Sequence, residues 1–171
     1  PLLRRAGEIH AFVDDVAEAD ALLREAVAIS ERVNGPRHPA TLAVQRALLR
    51  HLLWTSRLDE AEALLALVAA ADRAEDGRDA GAAGETQRMW AELHLNRGNL
   101  PAQLAAGDAA LTELRTPAPS GFRVAAVLAL RAYAQLGAGR TQAAAGDIAQ
   151  ARALLGQLRI ARGSLLYGNV T

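Results

Sequence analysis

The side chains in this sequence that are suited to chemistry are four histidines, a glycine-rich run and a recurrent set of arginines. The histidines are His10, His38, His51 and His94. No two of them have the i, i+4 spacing that presents paired metal ligands on one helix, and none has a carboxylate at the position found in metalloproteases. We therefore expect no metal site and no histidine general base.

The glycine-rich run at Gly77, Gly81 and Gly84 does not have the spacing of a phosphate-binding loop. The chain contains no lysine, which excludes a P-loop lysine or a Schiff base, and no cysteine, which excludes thiolate metal sites and cysteine nucleophiles. We expect this run to be a flexible loop, and we expect the chain to be no enzyme and to hold no cofactor. An enzyme would need histidine, aspartate and serine side chains that converge in a deep pocket.

The composition indicates a folded domain without a strong electrostatic bias. Apolar residue types make up 51% of the 171 residues, which is too many for a disordered segment. The 19 basic residues balance the 19 acidic ones, so nothing in the net charge favours nucleic acid or an anionic membrane. No apolar run reaches the length of about 18 residues that a membrane span needs.

Four similar segments repeat along the chain and determine the expected fold. Aligning Ala19, Ala61, Gln103 and Ala144 gives spacings of 42, 42 and 41 residues. Apolar residues in these segments follow the helical period, and turn residues precede each segment. The unit is therefore a helix, a tight turn and a second helix. We predict eight helices, near 2–13, 16–33, 39–55, 58–75, 85–97, 101–115, 121–136 and 141–158.

Each hairpin exposes an apolar face when alone, so neighbouring hairpins must stack to bury it. The predicted fold is an all-α solenoid of about four helix-turn-helix hairpins with a 41–42-residue period, over residues 1–158. The expected units are 1–34, 35–76, 77–116 and 117–158, and residues 159–171 form either a partial helix or a tail. Gly137 and Gly139 compete as the turn glycine of the last unit, which leaves its register open by two residues.

The second unit resembles the tetratricopeptide repeat, in its longer form found in kinesin light chains. The residues that carry the resemblance are GPRHPATL from Gly35 to Leu42 and RLDEAEALL from Arg57 to Leu65. The first is similar to the G-x-x-H-P-x-T turn between repeats, where the resemblance implies that His38 orders the turn. The second is similar to the family's second helix, with Ser56 in place of the usual glycine.

The resemblance implies that the first helix of each unit lines a concave groove that holds extended peptides or partner helices. The family's groove positions correspond to Arg4 and Glu8 in the first unit, Arg46, Arg50 and Trp54 in the second, Arg88, Glu92 and Asn96 in the third, and Arg131 and Gln135 in the fourth if Gly137 is its turn residue.

Two interpretations of this groove remain open. Its arginines can bind an acidic segment or a free C-terminal carboxylate, with Trp54 as an apolar platform. Alternatively, Glu8 and Glu92 pair with the arginines, the surface is merely solvated, and the tryptophans are packing residues.

We therefore expect a noncatalytic protein–protein interaction module or scaffold. The alternative is a regulatory or sensor domain that binds an attached kinase or transcription-factor domain, or a small peptide signal. The missing lysine indicates a GC-rich genome, and we expect a cytoplasmic bacterial protein. The chain begins at Pro1 without a methionine, so we expect it to be part of a longer protein, and uncovered terminal hairpins would favour a homodimer.

Overall fold

The computed structural model describes residues 16–74, 80–114 and 121–157, and within these ranges every regular element is an α-helix. The seven helices of the described ranges are α1 (Val16–Asn34), α2 (Pro39–Trp54), α3 (Leu58–Ala74), α4 (Ala80–Asn96), α5 (Leu100–Glu113), α6 (Gly121–Gly137) and α7 (Thr141–Gln157). The predicted all-α fold is confirmed. The expected helix at 2–13 and the segment 159–171 lie outside the described residues, as do Arg4, Glu8 and His10.

The helices stack as an open solenoid of hairpins. Each helix packs against the next one in the chain, and α2 also contacts α4, as α4 contacts α6. Among the described residues, the backbones of α1, α3, α5 and α7 do not approach one another. We call α2, α4 and α6 the inner helices and the other four the outer helices. The predicted stack of helical hairpins is confirmed, while the unit boundaries near 76 and 116 fall outside the described residues and stay predictions.

The apolar core is distributed along the stack. One cluster of buried side chains joins four successive helices, with Leu23 from α1, Leu49 from α2, Leu65 from α3 and Met89 from α4. A second cluster joins α5, α6 and α7. A hairpin therefore buries its apolar residues against the hairpins before and after it, as the solenoid requires.

The same backbone turn ends all three inner helices. Ser56, Gly98 and Gly139 have φ angles of 59°, 69° and 74°, in the left-handed region. The residue after each donates its N–H to a carbonyl five residues earlier, with N···O distances of 2.9, 2.8 and 2.8 Å. This is the Schellman motif, in which glycine is favoured because it lacks a Cβ atom. Gly139, rather than Gly137, is therefore the turn residue of the last hairpin.

The expectation of a loop at Gly81 and Gly84 is wrong. Both residues lie inside α4, which begins at Ala80 rather than near residue 85, whereas Gly77 lies outside the described residues. Gly84 is buried against Leu114, and a Cβ atom added at Gly84 would lie 2.6 Å from the Leu114 Cγ. The glycine thus permits a close approach between α4 and the residue that follows α5, a packing role that spacing alone does not distinguish from a loop.

We predict opposite effects for two glycine-to-alanine substitutions. Gly84→Ala should lower the free energy of unfolding by about 1–3 kcal/mol, because the new methyl group overlaps a buried side chain. Gly146→Ala, in α7, should raise it by about 0.5–1 kcal/mol, because alanine has the higher helix propensity and, apart from the adjoining backbone of α7, no described atom lies within 4 Å of the new Cβ. Urea denaturation of both variants measures the difference; equal effects would contradict the close approach at Gly84.

Candidate functional site

The three inner helices lie side by side, so their accessible side chains form one surface. Other sides of these helices pack against outer helices and inner neighbours. We call this surface the inner face. Its members are at least partly exposed and are Ala43, Arg50, Trp54, Glu85, Arg88, Glu92, Asn96, Phe122, Ala126, Ala129 and Tyr133.

The turn residues Ser56, Gly98 and Gly139 show which positions of the inner helices are equivalent, because each ends its helix with the same geometry. Six residues before each turn residue lie side chains of three different types, which we call the middle row: Arg50, Glu92 and Tyr133. Ten residues before lie Arg46, Arg88 and Ala129, and two residues before lie Trp54, Asn96 and Gly137. Residues at equivalent positions therefore differ in chemical type from one inner helix to the next.

Arg50, Trp54 and Asn96 are accessible at the positions that the resemblance implied. Arg50 is exposed, and the Trp54 side chain is 55% exposed, with its ring tilted by 49° against His51 at a centroid distance of 6.4 Å. Asn96 donates from Nδ2 to the Leu53 carbonyl oxygen at 3.4 Å and so joins α4 to α2. Trp54 is consequently a surface platform more than a core residue.

Arg88 is held between two carboxylates of its own helix. Its Nη1 donates to Glu92 at 2.8 Å, and its Nε and Nη2 donate to Glu85 at 3.0 and 2.9 Å. Burial on its own would lower the pKa of Arg88, but the two carboxylates outweigh it and raise that pKa. The expected pairing of Glu92 with a groove arginine is observed here, and the Glu85 partner could have been found from its i, i+3 spacing.

Arg46 lies beneath the inner face rather than on it. The residue is 8% exposed, its Nη2 forms an ion pair with Asp72 of α3, and its Nε donates to the Thr86 hydroxyl of α4 at 3.2 Å. The Thr86 hydroxyl in turn donates to Asp72 at 2.7 Å. Arg46 thus joins three helices of two successive hairpins, and its guanidinium has partners within the chain.

Removing one member of the Arg46–Asp72 pair should be far more damaging than removing both. We expect Asp72→Ala to lower the free energy of unfolding by about 3–5 kcal/mol, because it leaves a buried guanidinium without its carboxylate. The double variant Arg46→Met with Asp72→Leu should recover most of that loss, since neither group then carries a charge. Urea denaturation checks both; a double variant as unstable as the sum of its single variants would contradict this role.

Arg131 faces the outer helices. Its Nε and Nη2 donate to Asp147 of α7 at 2.7 and 2.6 Å, and its Nη1 donates to Asp108 of α5 at 2.7 Å. The hydrogen bond from Arg131 to Asp147, together with its bond to Asp108, raises the pKa of Arg131. The Gly139 register explains this placement, because it puts Tyr133 at the middle row and turns Arg131 and the buried Gln135 away from the inner face.

Sequence reasoning missed the apolar part of the inner face. Phe122 is 44% exposed and Tyr133 is 60% exposed on α6, with the smaller Ala126 and Ala129 between them. Leu136 is also exposed, at the edge of α6 that no described helix covers. An apolar residue at helical spacing normally indicates the core, so the sequence carries no signal that separates these residues from packing ones.

His51 lies directly below Trp54 in an environment that disfavours its charge. Its side chain is 1% exposed, and among the described residues neither ring nitrogen has a hydrogen-bond partner. Burial lowers the pKa of His51, and Arg57 and Arg24 add to the effect, although Asp20 at 3.8 Å from Nε2 opposes it. Burial therefore favours the neutral form of His51 in the folded chain.

The burial of His51 should make the fold less stable in weak acid. Because its folded-state pKa lies below 6.5, the unfolded chain binds more protons as the pH falls below that value, so the free energy of unfolding declines. His51→Phe should make the decline between pH 7 and pH 5 shallower without abolishing it, since burial also lowers the pKa of His94.

Denaturation midpoints measured across that pH range check the prediction, and identical profiles for His51→Phe and wild type would contradict it.

The pKa of Asp20 lies below this pH range. Burial would raise it, but hydrogen bonds from Arg24 and Arg57 hold it below 3.8, so the contribution of Asp20 to stability is lost only at lower pH.

Other features of the described residues place no further chemistry on the inner face. A polar cavity of about 170 Å³ between α3, α4 and α5 is lined by Asp72, whose carboxylate is engaged by Arg46 and Thr86. Within the described ranges, no cluster of three histidine or acidic residues is arranged to hold a metal ion. In the same ranges, the helices are too short or too polar to cross a membrane.

Comparisons with known proteins agree with this architecture. Residues 2–74 match the family model of the tetratricopeptide repeat. The fold is similar to that of a crystal structure of nearly identical TPR-like repeats from a candidate kinesin light chain of Podosopora anserina, with 22% identity, a TM-score of 0.71, and coverage of 96% of this chain and 78% of that one. A second crystal structure of such repeats from the same organism is 18% identical with a TM-score of 0.44, covering 93% of this chain and 96% of that one. No curated protein matches the chain significantly.

Proposed function

We propose that this chain, whose residues 2–74 match the tetratricopeptide repeat family, uses its inner face to bind an extended segment of a partner protein. Tetratricopeptide repeats generally mediate protein–protein interaction, and their fold is typically a noncatalytic interaction module. The observation that carries the proposal is the pair of exposed side chains Arg50 and Trp54, one turn apart on the inner helix α2.

These two residue types supply most of the binding energy in many interfaces. Tryptophan and arginine are enriched among hot-spot residues, because one offers a large rigid apolar area and the other a planar set of donors. The α2 helix holds both firmly, since ten of its side chains are buried among neighbouring helices. A segment that docks here loses its own conformational freedom while the protein surface loses little, which favours binding.

The group recognised at Arg50 is expected to be a carboxylate, which a guanidinium can bind through two parallel hydrogen bonds. It can belong to an acidic side chain or to a free C-terminus. Peptides with free and with amidated C-termini distinguish the two sources. We also propose that the protein acts in the cytoplasm of a bacterium, on the basis of composition alone.

A peptide selection tests the proposal directly. We expect a displayed library of random nine-residue peptides to yield binders, and Arg50→Ala and Trp54→Ala each to weaken their binding about tenfold or more. Leu67→Ala on the outer helix α3 removes an exposed apolar side chain of similar kind and should leave their affinity unchanged.

The chain has no cysteine, so a label on a single introduced cysteine can show independently where a peptide binds. A single cysteine introduced by Ala43→Cys on α2 or by Leu67→Cys on α3 takes an environment-sensitive fluorophore at one known position. Selected peptides should change the emission of the Ala43 label and not of the Leu67 label. The reverse pattern, or a selection without binders, counts against the inner face as the binding surface.

A further inference from the structure

The middle row presents three kinds of chemistry in a fixed order across the stack. Arg50 of α2 is a cation, Glu92 of α4 is an anion, and Tyr133 of α6 is an aromatic ring with 60% of its surface exposed. These three residues occupy equivalent positions along their helices, because each lies six residues before a turn residue of the same geometry. A segment that crosses the inner helices therefore meets all three in sequence.

The centre of the row has a net negative charge. Arg88 is a single cation bound by two carboxylates, those of Glu85 and Glu92. Glu92 is the more exposed of these two carboxylates. An acidic ligand side chain over α4 would be repelled, whereas an arginine or lysine there would compensate the excess carboxylate.

The α6 end of the row is apolar. Phe122, Ala126 and Ala129 lie on the same stripe of α6 as Tyr133, at i, i+4 and i+7 from Phe122. These four side chains include no carboxylate, guanidinium or imidazole, so this end offers contact area to an aromatic or aliphatic side chain and no ion-pair partner to a charged one.

The spacing of the row restricts the backbone conformation of its ligand. Neighbouring packed helices lie about 8–10 Å apart between their axes. A polyproline II segment advances about 9 Å per turn of three residues, so its residues i, i+3 and i+6 point to the same side at that spacing. In a β-strand, residues i and i+3 point to opposite sides, and residues i and i+2 are only about 7 Å apart.

We infer that the inner face selects a polyproline II segment with an acidic residue, a basic residue and a large apolar residue at three-residue intervals. The acidic residue lies over Arg50, the basic residue over Glu92 and the apolar residue over Tyr133 and Phe122. This inference rests on the proposed function and adds the ligand's pattern, charge order and conformation. It further implies that a run of acidic residues is a poor ligand, because its second carboxylate would lie over Glu85 and Glu92.

Synthetic peptides with blocked termini test the pattern. The first is Pro-Glu-Pro-Pro-Arg-Pro-Pro-Phe-Pro, and the second has the reverse order, since the row does not fix the chain direction. At least one of them should bind at least tenfold more tightly than a peptide of the same composition with the three residues two apart, and than a peptide with glutamate in place of the arginine. Titration calorimetry measures the affinities.

Charge exchange separates direct contact from indirect structural effects. Arg50→Glu should weaken the better peptide at least tenfold, and replacing the peptide's glutamate by arginine should restore binding to that variant. Tyr133→Ala should weaken the better peptide to a similar extent. The matched controls are Arg152→Glu, an exposed arginine on the outer helix α7, and Leu67→Ala, and both should bind the peptide as the wild type does. Thermal denaturation confirms that each variant is folded.

The outcomes distinguish this inference from the proposed function. If selected library peptides bind at the inner face but lack the spaced pattern, the inference fails and the proposed function stands. If no peptide binds there at all, both fail. If Phe122 and Tyr133 are instead buried between two copies of the chain, sedimentation will show a dimer that Tyr133→Ala dissociates, and the inference is overturned.

Discussion

Burial of the apolar sides of one hairpin by the next is the constraint on which the rest of this structure depends. The inner helix α2 shows its consequence, because residues from α1, α3 and α4 all join its core cluster. A pair of helices alone would leave much of that apolar area in water, at about 25 cal/mol for each Å². The stack removes this area layer by layer and leaves part of each inner helix exposed. A segment bound at the inner face, as we propose, would therefore contact a few positions on each inner helix.

Arg46 and Arg50 show how sharply this constraint separates neighbouring positions. They are four residues apart on α2, yet Arg46 lies at the junction with α3 and α4 and is paired with Asp72, whereas Arg50 is exposed. The same residue type thus stabilises the stack at one position and lies on the accessible surface at the other. Substituting Arg46 would change the stability of the protein before it changed any binding, so Arg50 is the appropriate residue for testing recognition.

The sequence predicted the hairpins well because helical period, turn residues and repeat spacing all indicate the same elements. It predicted the surface less well, for reasons that particular residues make clear. Spacing predicts a loop at Gly84, because in a sequence a glycine that permits close packing looks the same as a glycine that permits a turn. Phe122 and Tyr133 fit a buried stripe, and their exposure depends on which helix covers α6. If Gly137 were the turn residue, Arg131 would be expected on the inner face. The left-handed backbone angle at Gly139 identifies Gly139 as the turn residue instead, and Arg131 then lies toward the outer helices.

The repeated Schellman turn connects the scaffold to recognition. Because Ser56, Gly98 and Gly139 end the inner helices with one geometry, the side chains six residues earlier lie at equivalent positions along the three helices, although their types differ. The middle row therefore carries three different residue types on one backbone geometry, and the order of cation, anion and aromatic ring is a property of this chain rather than of its fold. If the inner face binds as we propose, two carboxylates on one guanidinium at the centre would make the order selective, since an acidic ligand matched only to Arg50 would meet repulsion one helix further on. In the proposed ligand, attraction at all three positions would act together with repulsion of an acidic residue misplaced over the centre, and specificity of this kind requires both.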